Sequence, residues 1–454
     1  MGDFLHFPSN TYINLSENDL INHQLERLFE GGMEEEGETI FEFTEVVSDE
    51  IDEVSHVTFA NNMHERIEVS DIVLSNHNMH ENIEVMDVAS AYSLNMSYTR
   101  SERNYSDWKI KNRFHSVPQF TSRFCPKISY SHKNQPIDFF SNLFPDDLIN
   151  IIVTETNRYA IQENSKNYMP TTQREIKAFL GVIIMMGLHP LPDFELYWST
   201  DRFYNNPDIS STFSLTRFKK ILENLHVNDN TTAAPRGSPN FDKLHKLRPL
   251  IEKLNFIFSQ QAEESTIYSV DKCMVKFKGR SSMKQYMPMK PIKRGYKVWA
   301  RCDAKTGYLY AFEVYTSKSD IKDEAGLGFS VVTSLCKNLP RGSLVVFDNF
   351  FTSCKLIDIL YQNNIYAIGT VRKTRKGLPE FMKVKPKHKN KKLEKHQFYA
   401  KSSKPITAIK WLDTKEVCVL SSAHKQNEIT MVMRTQKDGT RKEVPCPKAI
   451  ADYT

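Results

Sequence analysis

The 454-residue sequence predicts a mixed α/β protein, with a helical part ahead of a β-rich part. Three observations carry that expectation. Residues 142–261 hold several apolar patterns at helical spacing. After Gln261 the pattern switches to short apolar runs separated by turn residues, which read as strands. From Phe329 onward such runs alternate with helical stretches, so the later strands cross over and return in parallel.

In chain order, residues 1–100 contain 21 acids, three arginines and no lysine, a net charge of −18. The remainder carries 57 Lys/Arg against 34 Asp/Glu, a net +23. Low hydrophobicity with dense charge predicts a disordered acidic arm over residues 1–107. Inside it "NMHERIEVSD" (Asn62–Asp71) returns as "NMHENIEVMD" (Asn78–Asp87). Two copies are too few for a solenoid and read as a duplicated spacer, with His64 and His80 not taken as metal ligands. A tail of one sign on a body of the other points to a polyanion partner.

A helical domain is expected over 108–264. "NLFPDDLINIIVTETNRYA" (Asn142–Ala160) has Pro145 at a helix start and acids in the first turn. Thr172 with Glu175 forms a capping box for a helix running through Met186. Further helices are expected in Ser214–Asp229 and Phe241–Gln261. The α/β unit is set at 265–371. It opens with a strand in Ser265–Phe277 and a hairpin turning at "AKTG". A helix (Phe329–Leu339), a strand (Ser343–Phe347), a helix (Ser353–Asn364) and a strand (Ile365–Val371) follow, giving the order β-β-β-α-β-α-β.

Several function classes are excluded. Seven scattered cysteines without a C-x-x-C pair argue against a disulfide framework or closed zinc site, and read as buried free thiols in a reducing compartment. Met1–Asn22 lacks a basic segment leading into an apolar run, so no signal peptide is expected. "FLGVIIMMGL" (Phe179–Leu188) is too short to span a bilayer. There is no Walker A loop, H-E-x-x-H or G-x-S-x-G. Neither a membrane nor a small-molecule substrate is expected as a partner.

The chemistry concentrates on two aspartates. Asp271 lies in the first strand of the α/β unit, and Asp348 ends "LVVFD". Either could be a turn former, as "DAKTG" makes Asp303. If strands one and four are parallel neighbours, however, both carboxylates reach the end of the sheet where ligands bind in open α/β folds. Close carboxylates repel unless a cation joins them. Hard oxygen donors suit Mg²⁺ or Mn²⁺, and two such ions about 4 Å apart can clamp a phosphoryl transfer.

At these residues the sequence resembles the piggyBac family of DNA transposases, closest to its transposon-derived members. The stretches that carry the resemblance are Ser269–Thr316, "VVFDNFFTS" (Val345–Ser353) and "IYAIGTVRKTRKGLP" (Ile365–Pro379). "FFSNLFPDDLINIIVTETNRYA", "WLDTKEVCVLSS" and "EVPCPKAIADY" match in order, so the likeness covers about residues 135–454. It implies an RNase H-like catalytic core embedded in a helical dimerisation and DNA-binding domain, with an insertion domain after the fifth strand, placed here at 372–454. It also implies a homodimer acting on double-stranded transposon ends by metal-dependent nicking, hairpin formation and integration at TTAA. Asp271 and Asp348 match the first two acids of a DDD triad. The third follows the "CP…Y" stretch in the family, and this sequence reaches Thr454 directly after "CPKAIADYT". Asp452 precedes that point and matches no triad position. The expectation is a two-metal site, for Mg²⁺ or Mn²⁺, that is incompletely liganded, and a 454-residue chain that does not cleave DNA. A DNA-binding or protein-interaction module without catalysis is the alternative.

Basic residues flank both aspartates. In "KFKGRSSMKQYMPMKPIKRGYK" (Lys276–Lys297), Arg280, Lys284 and Arg294 are expected to meet phosphates, which positions DNA without reading its sequence. Arg372, Lys373, Arg375 and Lys376 open the densest basic run, Arg372–His396, and are also expected to face DNA. The lysines after Lys383 read as a flexible arm or nuclear-targeting segment, and the nucleus is the expected location.

Overall fold

The computed structural model describes residues 134–316, 326–383, 393–436 and 439–454, with scattered positions between 105 and 131. The acidic arm with its duplication, and most of the lysine-rich run after Lys383, lie outside those residues.

Among the described residues six α-helices come first: α1 (Pro136–Leu143), α2 (Asp146–Gln162), α3 (Gln173–Leu188), α4 (Pro207–Thr212), α5 (Leu215–Asn224) and α6 (Arg248–Gln261). Asp146 and Asp147 open α2 just after Pro145, where negative charge meets the positive end of the helix dipole. The Thr172 hydroxyl accepts the Glu175 N–H at 3.2 Å, and the Glu175 carboxylate accepts the Thr172 N–H at 3.1 Å. Apolar residues at helical spacing then meet in one core, with Ile149, Ile152, Ile176, Phe179, Phe218 and Ile221 buried against each other. Helix α6 starts at Arg248, later than the expected Phe241. Pro249 suits a first helical turn, where no N–H partner is needed. Asp242 accepts two hydrogen bonds from the Arg248 guanidinium, and a 3₁₀ turn at His245–Leu247 leads into the helix.

Glu175 does a second job. Its two oxygens accept from Arg217 Nε at 2.8 Å and Nη2 at 2.9 Å, and Arg217 Nη1 donates to the Met169 carbonyl, joining α5 to the start of α3. The Arg217 hydrogen bonds hold the Glu175 carboxyl below its usual value, against an opposing push from burial. A carboxyl lowered in the folded state stabilises above its unfolded value, and that contribution is lost as pH falls through the folded one. Arg217→Ala is expected to cost about 2 kcal/mol at neutral pH, the scale of a charged hydrogen-bonded pair. Urea melts should show the difference from wild type shrinking once the pH drops below the carboxyl's ordinary 4.5.

The β-rich part is one nine-stranded sheet. Its strands are β1 (Ile267–Lys276), β2 (Gln285–Tyr286), β3 (Arg294–Asp303), β4 (Leu309–Val314), β5 (Leu344–Phe347), β6 (Tyr366–Thr370), β7 (Phe398–Ser403), β8 (Ile406–Leu412) and β9 (Glu416–Ser421). They run in the order β2-β3-β1-β5-β6-β9-β8-β7, with β4 also on β3. The strands β1, β5 and β6 are parallel neighbours, and the flanks on both sides are antiparallel. Helix α7 (Leu327–Leu335) leads into β5, and α8 (Cys354–Gln362), capped by Ser353, carries the chain from β5 to β6. A hairpin of β10 (Ile429–Thr435) and β11 (Arg441–Pro447) ends in the short α9 (Lys448–Ala451).

Helix and sheet are stitched at an edge. The Asn255 side chain, on α6, accepts the Phe312 N–H at 2.8 Å and donates to the Phe312 carbonyl at 3.0 Å. It acts as a one-residue surrogate strand on β4, closing polar groups that an edge otherwise leaves open.

The expected boundary at 371/372 falls inside this sheet. Strand β9 pairs antiparallel with β6 through Ile368↔Ser421, Gly369↔Leu420 and Thr370↔Val419, so residues 393–421 extend the sheet that holds the two aspartates. All seven cysteines are free. They are not uniformly buried as expected: Cys125 is exposed and Cys273 and Cys302 are half-buried. Burial pushes the Cys336 and Cys354 thiols up to about 12. Among the described residues no helix is long and apolar enough to cross a membrane.

Candidate active site

The parallel pairing of β1 with β5 ends at Val270↔Phe347. Asp271 and Asp348 are therefore the next residues on two adjacent strands, at the carboxyl end of β5. Asp348 is turn former and ion partner at once. Its Oδ1 accepts the Phe350 N–H at 2.8 Å, and its main-chain oxygen accepts the Thr352 hydroxyl at 2.8 Å. Its Oδ2 accepts Lys272 Nζ at 2.8 Å. Asp303 makes the contrast at the far end of β3. There Oδ1 takes the Lys305 and Thr306 N–H groups and the Thr306 hydroxyl, which is a turn role, and the buried carboxylate also meets the Ser265 side chain.

Lys272 also lies 3.9 Å from Asp271 Oδ1. Partial desolvation raises the Asp271 carboxyl above its usual value, and Asp348 adds to the rise while Lys272 and Lys290 oppose it. The Asp271 side chain is still 59% exposed, so it faces water. Lys290 belongs to the loop between β2 and β3, so the basic segment reaches the site electrostatically, through a lysine the sequence reading did not single out. Lys297 is next in the charge cluster. Its ammonium lies 4.6 Å from the Trp299 ring centroid and 3.8 Å from that of Tyr315. Burial first, and Lys272 second, lower its affinity for a proton.

The loop after Asp348 is held from two sides. Trp299, which is register partner of Lys272, stacks on Phe350 at 5.5 Å and meets the edge of Phe351 at 5.4 Å. From the other side Arg372 Nε donates to Asn349 Oδ1 at 2.8 Å, and Arg375 Nη2 donates to the Asn349 carbonyl at 3.2 Å and to the Phe350 carbonyl.

The basic residues expected at DNA thus divide. Arg372 and Arg375 grip the 349–350 loop, Lys373 pairs with Glu416, and Lys284 donates to the carbonyls of Lys278 and Gly279. Arg280 and Lys376 are exposed, and Arg294 is exposed with its guanidinium 5.3 Å from the Tyr286 ring centroid.

The donor types fit a hard divalent cation, since Asp271 and Asp348 offer carboxylate oxygens on neighbouring strands. The ammonium of Lys272 lies between them. Among the described residues no group of three or more His, Cys, Asp or Glu side chains converges as a metal site. Asp452 does not join the pair. Its Oδ2 lies 2.9 Å from His424 Nε2, its Oδ1 accepts Lys448 Nζ at 3.0 Å, and His424 Nδ1 lies 2.8 Å from Ser421 Oγ. This chain, buried at Ser421 and His424 and open to water at Asp452 and Lys448, ties the turn after α9 to the end of β9. Tyr453 OH reaches Thr370 Oγ1 at 3.3 Å, which brings the last residues to the same end of the sheet as Asp348. No local pattern announced that contact, because it depends on β9 pairing with β6.

Comparison with known proteins gives one direction. The Transposase IS4 family model matches residues 135–454. PiggyBac transposable element-derived protein 3 of Homo sapiens is 32% identical over 340 residues, covering 72% of this chain and 55% of that protein. PiggyBac transposable element-derived protein 2 of Homo sapiens is 31% identical over 332 residues, covering 71% and 54%. The chain therefore spans about half the length of these curated relatives. Among solved structures, a piggyBac transposase synaptic complex with hairpin DNA, determined by cryo-EM, superposes with a TM-score of 0.57 at 22% identity. That superposition covers 73% of this chain and 68% of the other, and likeness at this identity speaks to fold.

Proposed function

This chain belongs to the Transposase IS4 family, in its piggyBac-type branch, and on that premise we propose that it is a transposon-derived protein that binds double-stranded DNA at the Asp271/Asp348 end of its sheet. The observation that carries the reading is the pairing of β1 with β5, which sets the two acids side by side with Lys272, Lys290 and the Arg372/Arg375-clamped loop around them. The sheet and its crossovers support an RNase H-like core. The ancestral reaction is DNA nicking, hairpin formation and strand transfer at TTAA, carried out by a homodimer in the nucleus.

In that reaction Asp271 and Asp348 would hold the cation, and the exposed Arg280, Arg294 and Lys376 would track the phosphate backbone. A divalent cation would supply Lewis-acid activation at the scissile phosphate. Asp348 is oriented for its part by the Phe350 N–H, and the clamped loop keeps it from swinging away. With two acids brought together, the 454-residue chain is expected to bind DNA without cutting it.

The test is anisotropy and gel assay on TTAA-flanked transposon-end DNA. Binding should weaken about fortyfold or more between about 50 mM and about 200 mM salt, the scale set by three phosphate-tracking residues. No nicking should appear with Mn²⁺. Nicking that vanishes in Asp348→Asn would overturn the inactivity, and absence of DNA binding at low salt would overturn the DNA reading.

A further inference from the structure

We propose that Lys272 is a built-in cation that takes the metal's place, so that this chain's carboxylate pair is closed to Mg²⁺ and Mn²⁺ and presents an ammonium instead. The inference rests on reading Asp271 and Asp348 as a cation-binding pair, and deepens that reading by naming what occupies it.

Position argues first. Lys272 Nζ makes a 2.8 Å ion pair with Asp348 and lies 3.9 Å from Asp271, so one ammonium serves both acids. Its side chain is only 13% exposed. The ammonium is also 5.5 Å from the Phe350 ring centroid, and that ring is stacked on Trp299 and its loop is held by Arg372 and Arg375. Lys272 is therefore built into a wall of fixed groups and is not a loose surface lysine that leaves when a competitor arrives.

Charge argues next. Two carboxylates and one ammonium leave a single negative charge at the site. A divalent ion entering between the acids would meet the Lys272 ammonium within a few ångströms, with Lys290 near Asp271 and Lys297 near Lys272 adding to the repulsion. Swinging Lys272 out would expose its charge elsewhere but break the cation–π contact and leave the Phe350 face bare. The metal must also give up water, which Mg²⁺ does reluctantly. Each of these effects favours the resident ammonium.

The function that follows is charge balancing without chemistry. An ammonium on the carboxylate pair cancels one of its two negative charges, which lessens the pair's repulsion of a DNA phosphate without activating that phosphate. The chain can hold a strand at this position and do no chemistry on it.

The experiment titrates Mn²⁺ into the full 454-residue chain and reads free Mn²⁺ by its EPR signal. Lys272→Gln and Lys272→Met, the latter keeping the packing against Phe350, are expected to bind Mn²⁺ at least about tenfold more tightly than wild type. The gain should disappear in Lys272→Gln/Asp348→Asn. Wild type binding as tightly as both neutral variants, or no gain in either, overturns the proposal. If the variants do not fold, the wild type alone decides. Its melting temperature should not rise with Mn²⁺, and a rise that Asp348→Asn abolishes overturns the proposal. DNA affinity measured without divalent metal is a separate readout, so a chain that excludes Mn²⁺ yet fails to bind DNA overturns the DNA reading alone.

Discussion

Gly369→Ala is expected to destabilise the protein by about 3 kcal/mol or more, at the upper end of overpacking costs. A Cβ at this position would lie 2.3 Å from Thr352 Oγ1, 2.6 Å from the Phe347 carbonyl oxygen and 2.8 Å from Phe347 Cδ2. The side-chain neighbours could in principle shift, but the Phe347 carbonyl is backbone of β5, and Phe347 is the register partner of Gly369. Relief therefore requires parting β5 from β6 next to Asp348. Thr352 is fully buried and its hydroxyl donates to the Asp348 carbonyl, so pushing it aside loosens the turn that holds the acid. Denaturant melts should give the stability loss, and DNA affinity should fall with it. Gly181→Ala is the control of opposite sign. Gly181 is in the middle of α3 with nothing within 4 Å of its would-be Cβ, so alanine should stabilise by about 0.5–1 kcal/mol through helix propensity.

The clash at Gly369 shows which parts of the site could be read in advance. "LVVFD" announced a buried strand ending in an acid, and the alternation of strands with helices placed it beside the strand of Asp271. Local signals sufficed there because each crossover is short and its handedness is constrained. The capping pair Thr172–Glu175 and the turn at Asp303 were legible for the same reason, since each closes within three residues. Lys272 was missed, although it stands beside Asp271 in the sequence. Attention to carboxylates as metal ligands left out the alternative that a neighbouring lysine supplies the charge. Arg372 and Arg375 were visible only as members of a basic run, and nothing in a charge count tells a solvated arginine from one that grips a loop 23 residues or more away.

The strands after residue 393 were lost behind charge. "ITAIKWLDTKEVCVLSS" (Ile406–Ser422) has the apolar runs and polar turn of a hairpin, and β8 and β9 are that hairpin. The dense lysines before it read as a flexible arm, and the family resemblance implied an insertion after the fifth strand. Which edge of a sheet a hairpin joins is set by long-range pairing, here β9 on β6, and leaves little local mark. Yet that pairing is what carries Tyr453 to Thr370 and brings the chain's last described turn to the aspartates' end of the sheet.

Trp299→Ala should be the other severe change, costing about 4 kcal/mol, within the range for truncating a buried aromatic. Trp299 is 2% exposed and meets Phe350, Phe351 and Tyr315, with Lys297 over its ring. If it were only a core residue, its loss would lower global stability and leave the Asp348 loop no more open than the rest. The stack on Phe350 predicts more. That ring also faces the Lys272 ammonium, so removing the indole frees the loop and the lysine's aromatic contact together. Native-state hydrogen exchange distinguishes the two cases. In Trp299→Ala the amides of Phe350, Phe351 and Thr352, two of which are bonded to the Asp348 main-chain oxygen and one to its side chain, should lose protection beyond the global change. Trp299→Phe keeps a ring in the stack and should recover most of that local protection while remaining less stable than wild type. Protection at these three amides that follows global stability in both variants would show that the tryptophan fills space without holding the loop.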